Sequence, residues 1–561
     1  MPCEVASLLE AECVMCHGHR PRLGAPIALM DAASFQKLGM SGLPLQQVVA
    51  DRVQSQVRPM PPKGLLAPTQ LSPLLSWLSS GAAADPQGCA VIDPADAMGG
   101  TGTTAPAAAA GAAGATAAAA GQAAPVVPAA GNQWTMFGGD LANTRANLSE
   151  TKLSAQNVSG LTELWSFSGA GCTATPAVYE GVVYVPTWGG KVYALDAATG
   201  VQRWMTALPD LIDSSPAVTA TTVYVSDDQG SVHALSRADG TKQWSKLVDM
   251  HAEAHLWSSP IYVPSADLVV LGVASGEEAV QGPFTFRGSV VALDAKTGEE
   301  RWKFYTTPAD ATSGPGAAVW ATVVVDEARK LVYVGTGNAY EGVSGPLVDS
   351  MLALDLGTGM RMWSRQFTAN DVFSIAGTRT GMSGPDFDIG ASANLFQAGG
   401  KDIVGVGIKS GDYVAMSRDT GEVLWMTNLT PGSVQGGFIA SAAVAGDKVF
   451  AAGNHYPQMS TTMAALDAVS GKTLWKHDLM GGTAFASVAY ANGVAYVGLS
   501  NGDFYAFDAL SGNQLVKLAA PDAIAGGPSV AGGVVYVPWG YNWTLREGME
   551  GNGGLTAYGL K

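Results

Sequence analysis

The sequence predicts a mainly β chain, an eight-bladed β-propeller preceded by a small all-α domain. Three observations lead there. One short motif recurs seven times, with copies starting at residues 194, 234, 292, 353, 415, 465 and 506. The two ends of that region carry complementary fragments of an eighth copy. The first 90 or so residues show helical periodicity instead, and a stretch made almost only of Ala, Gly, Thr, Pro, Gln and Val separates the two regions.

The repeat reads "ALDAATGVQRW" at 194–204, "ALDAKTGEERW" at 292–302 and "ALDLGTGMRMW" at 353–363. Each copy predicts a strand, an Asp/Thr-Gly turn and a strand carrying Trp. Ahead of most copies stand two more alternating strands joined by a Gly turn, as in "PAVYEGVVYVPTWGGKVYAL". Four strands per repeat at intervals of 40 to 62 residues predict propeller blades. "LTELWSF" (161–167) has the Trp strand alone, and "GLTAYGLK" (554–561) has the strand that should precede it. Together they predict a closing blade, which removes the open edge of the ring.

Before the propeller, residues 1–93 predict a helical domain. "CEVASLLEAECVMCHG" has a helical period, and "SPLLSWLSSGA" (72–82) predicts a closing helix stopped by Gly81. Residues 94–132 cannot bury a core, so they predict a flexible, partly extended tether between that domain and a propeller at 133–561.

Composition narrows the function. The net charge of −16 speaks against nucleic acid and anionic membrane as partners, and no apolar run is long enough to span a bilayer. Cys13, Cys16 and His17 form the CxxCH signature of a covalently attached haem c, with His17 as the proximal iron ligand. Met60, in the Pro-rich loop "VRPMPPKG", is the second axial ligand this reading requires; Met30 and Met40 are rivals. A His/Met pair predicts a class I cytochrome c domain suited to electron transfer. A zinc site built on the same cysteines and His17 lacks an obvious fourth ligand. Haem attachment of this kind takes place outside the cytoplasm, so the expected location is periplasmic, with an export signal removed before Met1. Cys3 and Cys89 flank the haem segment and either pair there or remain free thiols.

A propeller of this repeat beside a haem resembles the quinohaemoprotein dehydrogenases. The "A-x-D-x-x-T-G-x-x-x-W" repeat resembles that family's tryptophan docking motif, and "WTMFGGDLANTR" (134–145) resembles its opening segment. The resemblance covers residues 133–561 and implies pyrroloquinoline quinone (PQQ) and Ca²⁺ on the propeller axis. Such chemistry needs a stacking surface, cations or donors for a tricarboxylate, oxygen ligands for the metal and a base. In "SGEEAVQ", Glu278 matches the family's Ca²⁺-binding Glu, with Glu277 the alternative. Asn338, after Gly-Thr-Gly, matches its Ca²⁺-binding Asn. Trp320 occupies the place of the Trp on which PQQ stacks, and Lys409 that of the basic residue at the quinone oxygens. In "GPDFDIGASANLF" Asp388 is the expected base, with Asp386 its neighbour and Phe387 where the family has Trp; Asp371 in "TANDVFSIAG" is the rival. Taken singly these residues read as an exposed Glu, a turn Asn, a docking Trp and a surface Lys; their common order carries the resemblance.

The chain also departs from the family. It has no adjacent cysteines to roof the quinone, and lone Cys172 stands where relatives carry a Glu. The haem-first order and "PDFDIGAS" are most similar to the branch that oxidises the secondary hydroxyls of polyvinyl alcohol. Electrons then run from alcohol to PQQ to haem c and on to an external cytochrome c. Two alternatives stand beside it: a quinohaemoprotein for small alcohols or sugars, and a non-enzymatic propeller scaffold.

Overall fold

The computed structural model describes residues 133–561 except 280–282, 309–312, 376–383 and 542–551. Before residue 133 it describes 1–12, 29, 32–35, 46, 49–50, 53, 68–80, 82 and 89. The chain divides into two compact units, Met1–Ala124 and Pro125–Lys561.

In the first unit the described helices include Cys3–Glu12 and Pro68–Ser79. The second begins four residues earlier than "SPLLSWLSSGA" marks, with Pro68 at a helix start, where its missing N–H costs nothing. Val5, Leu9, Phe35, Leu74 and Leu78 are buried together, and the rings of Phe35 and Trp77 meet edge-on at 4.9 Å. Cys3 and Cys89 form a disulfide. Cys13, Cys16, His17, Met30, Met40, Met60 and the tether at 94–132 lie outside the described residues. Among the described residues no helix is long and apolar enough to cross a membrane.

The second unit is the eight-bladed propeller. Seven blades are built from consecutive strands, from Ala177–Tyr179 in blade 1 to Gln514–Ala519 in blade 7. Blade 8 takes Ser529–Ala531, Val534–Trp539 and Gly553–Gly559 from after blade 7 and Thr162–Gly169 from before blade 1. The complementary fragments in the sequence close the ring as expected, with Thr162 paired to Gly559 and Gly169 to Gly553.

The recurring motif explains how the blades adhere. The Trp of each outer strand donates its indole N–H to a carbonyl of the next blade: Trp204 to Arg237, Trp302 to Leu356 and Trp425 to Ala468, at 3.0, 2.9 and 3.1 Å. Under each ring lies the turn glycine of that next blade. Gly240, for example, has φ +75°, and a Cβ there would fall on Trp204. The motif Asp fixes the turn: Asp294 accepts the N–H groups of Lys296 and Thr297 and the Thr297 hydroxyl. Blade 7 has Val516 in place of Trp. There Leu153, Val158 and Leu161, from the segment entering blade 8, join Val516 in one buried cluster.

The opening segment "WTMFGGDLANTR" crosses one end of the central channel. Trp134 pairs with Val178, and Thr135, Leu141, Ala142, Thr144 and Arg145 accept backbone N–H groups from blades 2, 4, 5, 6 and 7. Above this plug runs a ring of hydroxyls. The backbone N–H of Thr175 donates to Ser215 Oγ, that of Ser215 to Ser259 Oγ, and so on through Thr322, Ser392, Ser441 and Ser487, at 2.8 to 3.2 Å. Blade 8 has Gly527 at this position, and a Cβ there would fall on the Arg145 guanidinium. Arg145, fully buried, bonds the carbonyls of Val488 and Phe137 and reaches Thr175 Oγ1 and Pro528 O. Burial lowers its pKa to about 9.

Candidate active site

Above the hydroxyl ring opens a cavity of about 640 Å³, within the size range of cofactor sites. Its walls are loops that join successive blades and hairpins between the second and third strands of several blades. Glu278 comes from the hairpin of blade 3, Trp320 from the loop entering blade 4 and Asn338 from that blade's hairpin. Asp388 comes from the loop entering blade 5, and Lys409 from that blade's hairpin. All five side chains line this one cavity.

Glycines allow the approach. Gly335 and Gly337, flanking Thr336, face the Asp388 segment so closely that a Cβ would fall on Ile389 and on the Asp388 carboxylate. Gly390 leaves room for the edge of the Trp320 indole in the same way. Three N–H groups then fix Asp388. Asn338 N donates to Oδ1 at 2.8 Å, while Trp320 Nε1 and Lys409 Nζ donate to Oδ2 at 3.2 and 3.0 Å. Lys409 Nζ also bonds Asp386 Oδ1 at 2.8 Å and lies 5.5 Å from the centre of the Trp320 ring.

Electrostatics are severe here because the groups are desolvated. Burial alone would discharge Lys409, but Asp388, Asp386 and Glu278 outweigh it and hold the ammonium above its ordinary pKa. Burial drives Asp386 well above the carboxylate range, against the pull of Lys409. Burial, with Asp388 nearby, raises Glu278 to about 7. Asn338 donates both its amide hydrogens, to Ala339 O and Phe373 O, so its Oδ1 is the group left to bind a ligand.

The alternatives occupy other places. Glu277 turns away from the cavity and accepts the N–H groups of Thr285 and Phe286, with His251 Nε2 at 3.3 Å. Burial opposes its ionisation, yet these partners hold its pKa below the ordinary value. Asp371 is fully buried and accepts the N–H groups of Asp386 and Phe387 at 3.2 and 2.8 Å, so it shapes the turn that presents Asp388. Asp386 adopts φ +57° in that turn. Cys172 is buried beneath blade 1 with its thiol 3.3 Å from Pro186 O, and burial raises its pKa to about 12. On the far wall Trp188 Nε1 donates to Asp213 Oδ1 at 2.6 Å and to Thr173 Oγ1 at 3.0 Å.

Sequence reasoning missed the hydroxyl ring, Trp188 and Asp213. The ring had a signal: a Ser or Thr precedes the first strand of seven blades, as in "TPAV", "SPAV" and "SPIY".

Comparison with known proteins agrees with this architecture. The family PQQ_2, described as outer membrane protein assembly factor BamB, matches residues 149–389, 409–515 and 458–553. The polyvinylalcohol dehydrogenase of Sphingopyxis sp. (strain 113P3) is 30% identical over 510 residues, covering 76% of both chains. The chain belongs to the PQQ-dependent quinohaemoprotein dehydrogenase family. A second family member, the polyvinylalcohol dehydrogenase of a Pseudomonas species, is 28% identical and covers 76% of this chain and 77% of its own. Among solved structures, the quinohemoprotein alcohol dehydrogenase of Comamonas testosteroni superimposes with a TM-score of 0.64 at 20% identity, over 77% of this chain and 81% of that one. At that identity it speaks for the fold alone, and the same propeller carries the family's oxidoreductases.

The residues present fit the family's cofactors. Glu278, Asn338 and Asp388 offer oxygen donors of the kind Ca²⁺ prefers. Lys409 Nζ bonds Asp386 and Asp388, and Glu278 lies within electrostatic reach, so a divalent cation would draw protons from the buried carboxyl groups and favour their ionised form. Trp320 and Lys409 supply an aromatic face and a donor for a flat, anionic quinone.

Proposed function

We propose that this protein is a PQQ-dependent dehydrogenase that oxidises secondary alcohol groups of polyvinyl alcohol to ketones. The observation that carries the reading is the convergence of Glu278, Trp320, Asn338, Asp388 and Lys409 on one axial cavity. Glu278 and Asn338 would hold Ca²⁺, and Trp320 would offer the quinone an aromatic face. PQQ, when bound, supplies the two-electron acceptor for the hydrogen on the carbinol carbon. Asp388 takes the hydroxyl proton. Its three N–H partners fix the carboxylate, so its remaining lone pairs face the substrate without reorganisation. Lys409 keeps a positive charge against both the carboxylate and the quinone oxygens.

Cys13, Cys16 and His17, with Met60, would hold a haem c, which would supply a one-electron route from the quinone to an external cytochrome c. The expected location is the periplasm. Polyvinyl alcohol enters this reading through the names of the two relatives. The family description as an outer membrane assembly factor keeps the scaffold alternative in view, and the buried carboxyl groups around Lys409 speak against it: a scaffold gains nothing from desolvated charge. The test is to load the full chain with PQQ and Ca²⁺ and follow reduction of the haem on addition of polyvinyl alcohol or 2-propanol. Reduction that depends on both cofactors supports the reading; a spectrum unmoved by either alcohol overturns it.

A further inference from the structure

The mouth of the cavity is unequal from side to side. On the side of blades 2 and 3 the partly exposed His255 and His251 pair with buried carboxylates, Asp228 at 3.0 Å and Glu277 at 3.3 Å. Across the mouth, blade 6 brings apolar groups. Val434 stands on the loop entering the blade, Tyr456 and Met459 on its hairpin, and Met480 at the end of its outer strand. They are 39, 39, 41 and 68% exposed.

The backbone holds these groups together. Gly437 and Asn454 exchange N–H···O bonds at 3.0 and 2.7 Å, tying the Val434 loop to the hairpin. Gly481 N donates to Met459 O at 3.0 Å, and Ser460 pairs with Met480. Val434 and Met459 also line the cavity. One apolar surface therefore runs from the chamber wall out over the rim. Scattered apolar side chains on a surface call for no explanation, whereas a continuous patch leading out of a binding chamber does.

We propose that this rim is a subsite for the hydrocarbon backbone of a neutral polyhydroxylated chain, whose reacting carbinol sits in the cavity while adjacent units lie over blade 6. The proposal rests on the alcohol-oxidising reading above and names the part of the substrate that reading leaves open. Such a chain alternates CH₂ with CHOH and carries no charge. It gains from apolar contact and loses at a charged rim, where it would displace water from ions. Unbranched methionine side chains follow an irregular, flexible ligand better than branched ones do. Gln435 and Ser500, on the same side of the cavity wall, give the hydroxyls hydrogen-bond partners. A small alcohol fills only the chamber and does not reach Tyr456 or Met480.

The experiment uses the full chain loaded with PQQ, Ca²⁺ and haem and compares kcat/KM for polyvinyl alcohol with kcat/KM for 2-propanol. In the double variant Tyr456→Glu, Met480→Glu the ratio of polymer to 2-propanol should fall by about tenfold or more, and Met480→Leu should keep most of it. Both positions are exposed, so the substitutions leave the core untouched, and the ratio cancels any loss of active enzyme. An unchanged ratio overturns the subsite and leaves alcohol oxidation standing. Wild type that oxidises 2-propanol but not polymer also overturns the subsite. Wild type that oxidises neither overturns the alcohol-oxidising reading itself.

Discussion

Lys409 shares its ammonium between two carboxyl groups, Asp388 at 3.0 Å and Asp386 at 2.8 Å, and of that pair Asp388 lines the cavity. Asp388→Asn keeps the shape and removes the basicity. PQQ should still bind, seen as quenching of tryptophan fluorescence, while turnover falls by roughly 10²–10⁴-fold. Asp371→Asn should act differently, by loosening the turn at Asp386 and Phe387, and should lower thermal stability along with activity. A large kinetic loss at Asp371 with stability intact would move the base there.

Glu278 gives a pH dependence with a definite sign. Burial and the neighbouring Asp388 raise its pKa from 4.5 to about 7. A folded-state value above the unfolded one means that the metal-free protein loses stability as pH rises from about 4.5 through 7. Ca²⁺ binds the carboxylate form, so bound metal removes that slope, and apparent Ca²⁺ affinity weakens as pH falls below about 7. Melting curves of chelated and Ca²⁺-loaded protein between pH 5 and 8 should diverge in this way, and Glu278→Gln should flatten the chelated curve.

At Gly390 one methyl group decides the stacking surface. Its Cβ would fall on the Trp320 indole. Gly390→Ala should displace that ring from Asp388 Oδ2 and weaken PQQ binding, at a cost of about 1–3 kcal/mol for overpacking. Titration of the apoprotein with PQQ, followed by tryptophan fluorescence, measures it. Unaltered affinity would remove Trp320 from the cofactor's platform.

Arg145 holds the plug to the ring. Arg145→Met strands the buried carbonyls of Val488 and Phe137, at about 1–3 kcal/mol for each group left unsatisfied. The midpoint of chemical denaturation should fall accordingly. Arg145→Lys should recover little, since a single ammonium cannot reproduce the guanidinium fork.

Met60→Ala tests the expected haem ligand. A thioether favours ferrous iron, so its loss should lower the reduction potential and change the low-spin spectrum. An unchanged spectrum and potential would pass the role to Met30 or Met40.

The propeller was legible because its glue is local in sequence. Gly240 and Trp244 belong to one copy of the motif but serve opposite seams: Gly240 lies under Trp204 of the blade before, while Trp244 donates to Ala295 of the blade after. The motif therefore records both contacts in one short stretch. The cavity was legible in part, since Glu278, Trp320, Asn338 and Lys409 stand in recognisable hairpins and loops. The sequence points to Asp388 as the base but leaves Asp371 a rival, because Asp371, Asp386 and Asp388 lie within eighteen residues and the turn geometry is what separates them. The seat of Arg145 in the gap at Gly527 joins residues nearly four hundred apart, and no local pattern announces it.

Closure of the ring by the propeller's first and last strands has a temporal consequence. Ser166 and Thr556, partners across blade 8, are 390 residues apart. A growing chain holds the strand Thr162–Gly169 without its mate until Gly553–Gly559 emerges, and closing so long a loop is slow. The axial cavity draws walls from every blade, so no partial ring contains it. Cofactor capture thus reports on completeness: a chain cut short before Gly553 should remain colourless toward the quinone even though most of its blades are present.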